Sequence, residues 1–196
     1  MTTTGRFWKL SAEPLPVRLM NTIWTAHGTV RDELQQPADI DDWFRSTGFT
    51  PEGVSAAELA SALTLRTALR RVAAHASGDS RAAAGGADGD VADAVGTINA
   101  ALTPAPVDRM ALGKDGFRAE SEPAGNTVAD GLAAVSAQAV ALFTAADGSN
   151  IRACMAPGCV VYFVKNHPRR EWCSVTCGNR SRAARHYRRE HDGSAT

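Results

Sequence analysis

Cys154-Met-Ala-Pro-Gly-Cys159, followed by Trp172-Cys173-Ser-Val-Thr-Cys177, is the stretch that decides how this chain is read, because it holds all four cysteines. In a cytosolic setting thiols are kept reduced, so a cluster of this density points to a metal site rather than to two disulfides. The Pro157-Gly158 turn brings Cys154 and Cys159 to one ion as a knuckle. Val160 to Val164 then reads as a strand, Lys165-Asn-His-Pro168 as a turn, and a second short strand ends at Trp172. Cys173 and Cys177 lie four residues apart, on one face of the first turn of a helix. The positive end of that helix favours thiolate. Four thiolates around a tetrahedral Zn2+ leave no position open for water or substrate, so the predicted ion is structural, and the unit is a treble-clef-like zinc finger. Free or redox-active thiols, or His167 or His186 in place of one cysteine, are the competing readings. The large apolar residues available, Val160, Val161, Tyr162, Phe163 and Trp172, are too few for the module to fold without its metal.

Beyond Cys177 the chain runs Gly-Asn-Arg180-Ser-Arg182-Ala-Ala-Arg185-His-Tyr-Arg188-Arg189. On a helix, Arg182, Arg185 and Arg189 share a face at i, i+3 and i+7, with Arg188 beside Arg185. The planar guanidinium fork suits phosphate oxygens and the guanine edge, so Arg180, Arg182, Arg185, Arg188 and Arg189 are the candidate nucleic-acid contacts. The bland alternative is a solvated helix, or one that docks on the rest of the chain.

Charge supports a two-part organisation. The formal net charge of the 196 residues is zero, yet residues 1–150 carry 12 Lys and Arg against 18 Asp and Glu, and residues 151–196 carry 9 against 3. A balance of −6 followed by +6 means that the two parts face different partners, or each other. Asp147-Gly-Ser-Asn150 reads as a linker, which divides the chain into 1–148, mostly helical, and 149–196, the finger with its basic helix.

In the first part, Ser55 and Glu58 form a capping box that opens a helix reaching about Ala76, with Leu59, Leu63, Leu65, Leu69 and Val72 inward. Val91, Val95, Ile98 and Leu102 stripe a second helix that stops near Pro104, and Thr127 to Ala146 forms a third. Val17 to Thr25 reads as an early helix, and Gly78 to Asp90 as a mobile surface loop. Met110-Ala-Leu and Phe117-Arg-Ala flank Gly113-Lys-Asp-Gly116 as a small β-hairpin, the one strand pair expected before residue 150. The fold class is therefore mainly α with a small hairpin, α+β. Nowhere does an apolar run approach the ~18 residues of a membrane span, and Met1 to Leu10 holds no signal-peptide core, so no membrane partner and a cytoplasmic location are expected.

Cys154 to Arg189, with Trp172-Cys-Ser174 and Cys177-Gly-Asn-Arg180, resembles the CGNR zinc finger, named for that tetrapeptide. Residues before it are similar to the ABATE domain that precedes this finger in bacterial proteins, through Asn21-Thr22, Asp32 with Leu34, Trp43, the helix from Glu58-Leu-Ala60 to Leu69-Arg70, and Ile98-Asn-Ala-Ala-Leu102. Val17-Arg-Leu-Met20 departs from that domain's usual more apolar stretch with an acidic residue. The resemblance implies a transcription regulator whose finger binds DNA and whose N-terminal domain senses stress or a small-molecule ligand.

Asn21, Trp24 and Trp43 are the candidate residues of a ligand pocket, with core packing as the alternative for the tryptophans. A single arginine helix reads few base pairs, which points to a homodimer. The chain has no phosphate loop, nucleophile elbow, His-Glu-x-x-His pair or dinucleotide fingerprint, so no enzyme is expected. His27 and His75 read as surface residues, and Asp39, Asp41 and Asp42 as helix N-terminal charges. A protein-interaction adaptor or an RNA binder stabilised by zinc is the alternative function.

Overall fold

The computed structural model describes residues 12–81, 89–102, 108–113, 116–121, 125–145 and 150–192. The elements run α1 (Leu15–Met20), β1 (Ile23–Ala26), β2 (Thr29–Asp32), α2 (Pro37–Thr47), α3 (Ala56–Ser77), α4 (Val91–Ala100), β3 (Asp108–Gly113), β4 (Gly116–Ser121), α5 (Val128–Phe143), β5 (Ile151–Ala153), β6 (Tyr162–Val164) and α6 (Val175–Asp192). The strands make three separate antiparallel pairs, β1 with β2, β3 with β4, and β5 with β6.

α3 is the axis. The Ser55 hydroxyl accepts the Glu58 N–H while the Glu58 carboxylate accepts the Ser55 N–H at 2.7 Å, which starts the helix where the capping box predicts. α1, α2, α4, α5 and β5 all pack on it. Val17, Leu19 and Met20 of α1, Ile40, Trp43 and Phe44 of α2, Leu65 and Leu69 of α3, and Leu132 and Val135 of α5 form one core. Thr127 and Asp130 cap α5 by the same reciprocal pattern.

Three expectations need correction. The early helix ends at Met20, and residues 23 to 26 form a strand instead, so a second hairpin precedes residue 150. Ile-Trp-Thr suits a pleated strand, and His27 and Gly28, at φ 49° and 79°, make a two-residue turn matched to strand twist. Val95 faces solvent at 43% exposure, while Ala94, Ile98 and Ala101 carry the α4 contact; small residues there let α4 lie close on α3. The finger's second strand does not form up to Trp172; β6 pairs backward with β5 across the knuckle, Ala153 opposite Tyr162.

The expected β3–β4 hairpin forms, with Leu112 opposite Phe117. Most of the Gly78–Asp90 loop and of the Asp147–Asn150 linker, and Pro104, lie outside the described residues. The described start of that loop is fixed, since Asp79 is buried.

Candidate metal centre and its basic helix

The knuckle is built by a turn. Cys159 N–H donates to the Ala156 carbonyl at 2.9 Å, with Pro157 at the second position and Gly158 at φ 71° in the third, a conformation that a side chain would strain. Cys154 N–H donates to the Val161 carbonyl, so the β5–β6 ladder extends into the ligand loop. From the other side Ser174 caps α6, its hydroxyl accepting the Cys177 N–H at 3.2 Å. Cys173 therefore sits just before the helix and Cys177 in its first turn.

All four sulfurs lie within 4.8 Å of one another, and no described His, Asp or Glu joins them. Cys159 and Cys173 are 3.9 Å apart, Cys173 and Cys177 3.5 Å. A tetrahedron with metal–sulfur bonds of about 2.3 Å has edges of about 3.8 Å, so this set fits Zn2+ and is far too wide for a disulfide. Hydrogen bonds from the Cys159 and Cys173 thiols hold the Cys154 thiol far below its ordinary value, while the same bonds push Cys159 and Cys173 up. Four sulfurs this close carry four negative charges together only around a cation. His167 is exposed and turned to the Arg169 N–H, and His186 pairs with Glu190 on the outside of α6.

The finger does not hang free from the helical part. β6 alternates between two cores: Tyr162 enters the α3 core, while Val161 and Phe163 pack with the cysteines, Trp24 and Trp172. Asn21 holds the Tyr162 backbone at both ends, its amide donating to the carbonyl at 2.8 Å and accepting the N–H at 3.0 Å. Glu13 accepts the Val164 N–H at 3.0 Å and pairs with Arg170 at 2.6 Å.

Arg70, pushed down to about 10 by burial, donates to the Met20 carbonyl at 2.7 Å and the Val160 carbonyl at 2.9 Å, its guanidinium 5.1 Å from the Tyr162 ring centre. Arg81 reaches the knuckle itself, donating to the Cys159 carbonyl at 2.6 Å and the Cys154 carbonyl at 3.2 Å while Asp79 holds it at 2.7 Å. That pairing keeps the Asp79 carboxyl below, and the Arg81 guanidinium above, their ordinary ranges.

Glu13, Arg70, Asp79 and Arg81 are residues that the sequence reading missed. Arg66 and Arg70 carried a signal, since they fall among Leu59, Ala62, Leu69 and Ala73 on the buried side of α3. Arg66 makes a two-pronged pair with Asp32, both contacts at 2.6 Å. Arg81 carried none.

Each of the three pocket candidates has a partner in the fold. Asn21 is committed to Tyr162, Trp43 is 1% exposed and edge-on to Phe44, and Trp24 donates to Glu33 at 2.7 Å. Replacing Asn21 by Ala orphans the Tyr162 N–H and carbonyl, at an expected cost of about 1–3 kcal/mol. Urea unfolding of the zinc-loaded variant measures it, and unchanged stability would count against this contact. His27 and His75 are exposed. Asp39 caps α2, accepting the Gln35 and Gln36 N–H groups at 2.9 and 3.0 Å, and Asp41 pairs with Arg45.

α6 buries Cys177, Gly178 and Ser181 and half-buries Ala184; from Arg185 onward its described side chains are exposed. A Cβ at Gly178 would stand 3.0 Å from the Trp172 ring, so glycine lets the tryptophan lie on the helix. Arg182 hydrogen-bonds Asn179, and the Arg188 Nε donates to the Ala184 carbonyl at 3.4 Å. Arg180 differs, turning back so that Nη2 stands 3.3 Å from Cys177 Sγ.

A helical domain fused through a shared core to a four-cysteine zinc finger with a projecting basic helix is the class that fold and site define. Residues 13–146 match the ABATE family, described as "putative stress-induced transcription regulator", and residues 150–190 match the CGNR zinc finger. The chain belongs to the ABATE family. Neither description names a catalytic activity. No curated protein matches the chain. Among the described residues, no helix is long and apolar enough to cross a membrane.

Proposed function

We propose that this protein is a cytoplasmic, non-enzymatic DNA-binding transcription regulator in which α6 meets the nucleic acid. The observation that carries the reading is that α6 outruns its own support. Its first two turns are fastened to the finger, and its last two stand in solvent with Arg185, Arg188 and Arg189 exposed. Eighteen residues span about 27 Å, enough to lie along a major groove. Docking on the acidic part is the weaker reading for these arginines. An ion pair between the two matched stretches joins Glu13 to Arg170, away from α6, and among the described residues no carboxylate of the first part reaches Arg182, Arg185, Arg188 or Arg189.

In this reading residues 1–148 serve as a sensor of a small molecule or as the dimerising part, and 149–196 as the DNA-binding part. Zinc at the four cysteines supplies a cross-link that fixes α6 to the β5–β6 hairpin. The chain's own residues then position the arginines.

The test is retention of genomic DNA fragments by zinc-loaded protein, followed by affinity measurements across salt concentrations. Four arginines on phosphates give a log–log slope of about −3 to −4, and Arg182→Ala with Arg185→Ala brings it about two units closer to zero. Retention of one motif that the double variant loses supports the regulator. Retention of every fragment or none, with an unchanged slope, favours an adaptor or an RNA target instead.

A further inference from the structure

Arg180 stands apart from the arginines around it. Arg182 follows two residues later, about 200° round the helix, so the two cannot serve one face. Arg180 instead lies one turn after Cys177 and bends back to the sulfur, its Nη2 at 3.3 Å from Sγ. Chemistry gives that contact a purpose. One divalent cation and four thiolates carry a net charge of −2, in a place where Cys154, Cys159 and Cys177 are buried. Uncompensated charge held away from water is costly, and a guanidinium that donates to a thiolate relieves it through a charge-assisted hydrogen bond. At the other ligand pair, Arg81 brings a second guanidinium to the carbonyls of Cys154 and Cys159.

We propose that Arg180 is a positioning residue of the metal centre, holding the Cys177 thiolate and offsetting the negative charge of the zinc–tetrathiolate group, rather than a contact to nucleic acid. Outer-shell partners of metal ligands typically change affinity 10–100-fold when removed. The candidate nucleic-acid contacts are then Arg182, Arg185, Arg188 and Arg189 alone. This assignment does not depend on what α6 binds.

The experiment compares the full chain with its Arg180→Gln, Arg180→Lys and Arg169→Gln variants, the last removing an exposed charge of the finger elsewhere. Zinc affinity is read by competition with a chromophoric chelator, and the thiolate-to-metal charge-transfer band is read in the cobalt(II)-substituted proteins. Arg180→Gln is expected to bind zinc about 10–100-fold more weakly, with Arg180→Lys between it and the parent and Arg169→Gln equal to the parent. The cobalt band is expected to move in Arg180→Gln, because an unbonded thiolate is a stronger donor. Zinc affinity within twofold of the parent, or a band that does not move, overturns the assignment. If Arg180→Gln does not fold even in excess metal, Arg180→Lys decides by the same two readings: unchanged affinity and an unchanged band in the absence of the guanidinium would refute it.

Discussion

Stripping zinc from the intact chain is expected to unfold residues 150–192 and, in the same step, to lower the stability of the helical part. Structural zinc contributes about 10–16 kcal/mol to folding in small finger peptides, and the finger's own apolar cluster is small, built from Cys154, Ala156, Cys159, Val161, Phe163 and Cys177. Without the cross-link that cluster does not hold. Ile151 and Tyr162, both 0% exposed, then leave the core they share with α3. Exposing one such side chain costs about 1.5–3 kcal/mol, and the finger partners of Asn21, Glu13, Arg70 and Arg81 are lost with them. Amide exchange along Leu69–Ala74 of α3 is the measurement. Protection that falls on chelation and returns with added zinc meets the expectation; α3 amides indifferent to chelator would show that the two parts fold independently. Cys154→Ser should reproduce the chelated state.

Changing Arg70 to Ala has the second large effect expected. The side chain is buried in the centre of the molecule, and it bridges the end of α1 to the strand leading out of the knuckle. Truncation leaves the Met20 and Val160 carbonyls without a donor at about 1–3 kcal/mol each, and opens a cavity beside Tyr162. A total of about 3–5 kcal/mol corresponds to a fall in Tm of roughly 6–20 °C for a chain of this size. Arg70→Met keeps most of the volume and isolates the hydrogen-bonding part, so it should fall between the two. Burial lowers the guanidinium only to about 10, so it is charged at neutral pH and the charge is retained in the fold. A calorimetric Tm for Arg70→Met equal to that of the parent would mean that these bonds contribute nothing net.

The metal centre was legible because its information is local. Pro157-Gly158, Ser174 and the two cysteine spacings dictate turn, cap and ligand geometry within a few residues of each sulfur. The helices of the first part were legible for the same reason, through Ser55 with Glu58 and the apolar stripe of α5. β1 and β2 were missed because Val17 to Thr25 has enough apolar residues to pass for one helix, and the break depends on Asn21 and Thr22 turning the chain. The contact of Arg180 with Cys177 was not legible, because sequence registers the charge of Arg180 and not the rotamer that takes it back to the sulfur.

By itself the sequence determined a helical domain, a four-sulfur zinc knuckle and an arginine-rich helix, all from contacts within a turn or two of the chain. Only the tertiary structure decided that the two parts share a core. The contacts responsible are Asn21 with Tyr162, Glu13 with Val164 and Arg170, and Arg81 with the knuckle carbonyls, which join residues 73 to 157 positions apart. Such pairs leave no periodicity in a sequence, because what selects each partner is the need of a buried carbonyl, N–H or charge for a counterpart once the helices have packed.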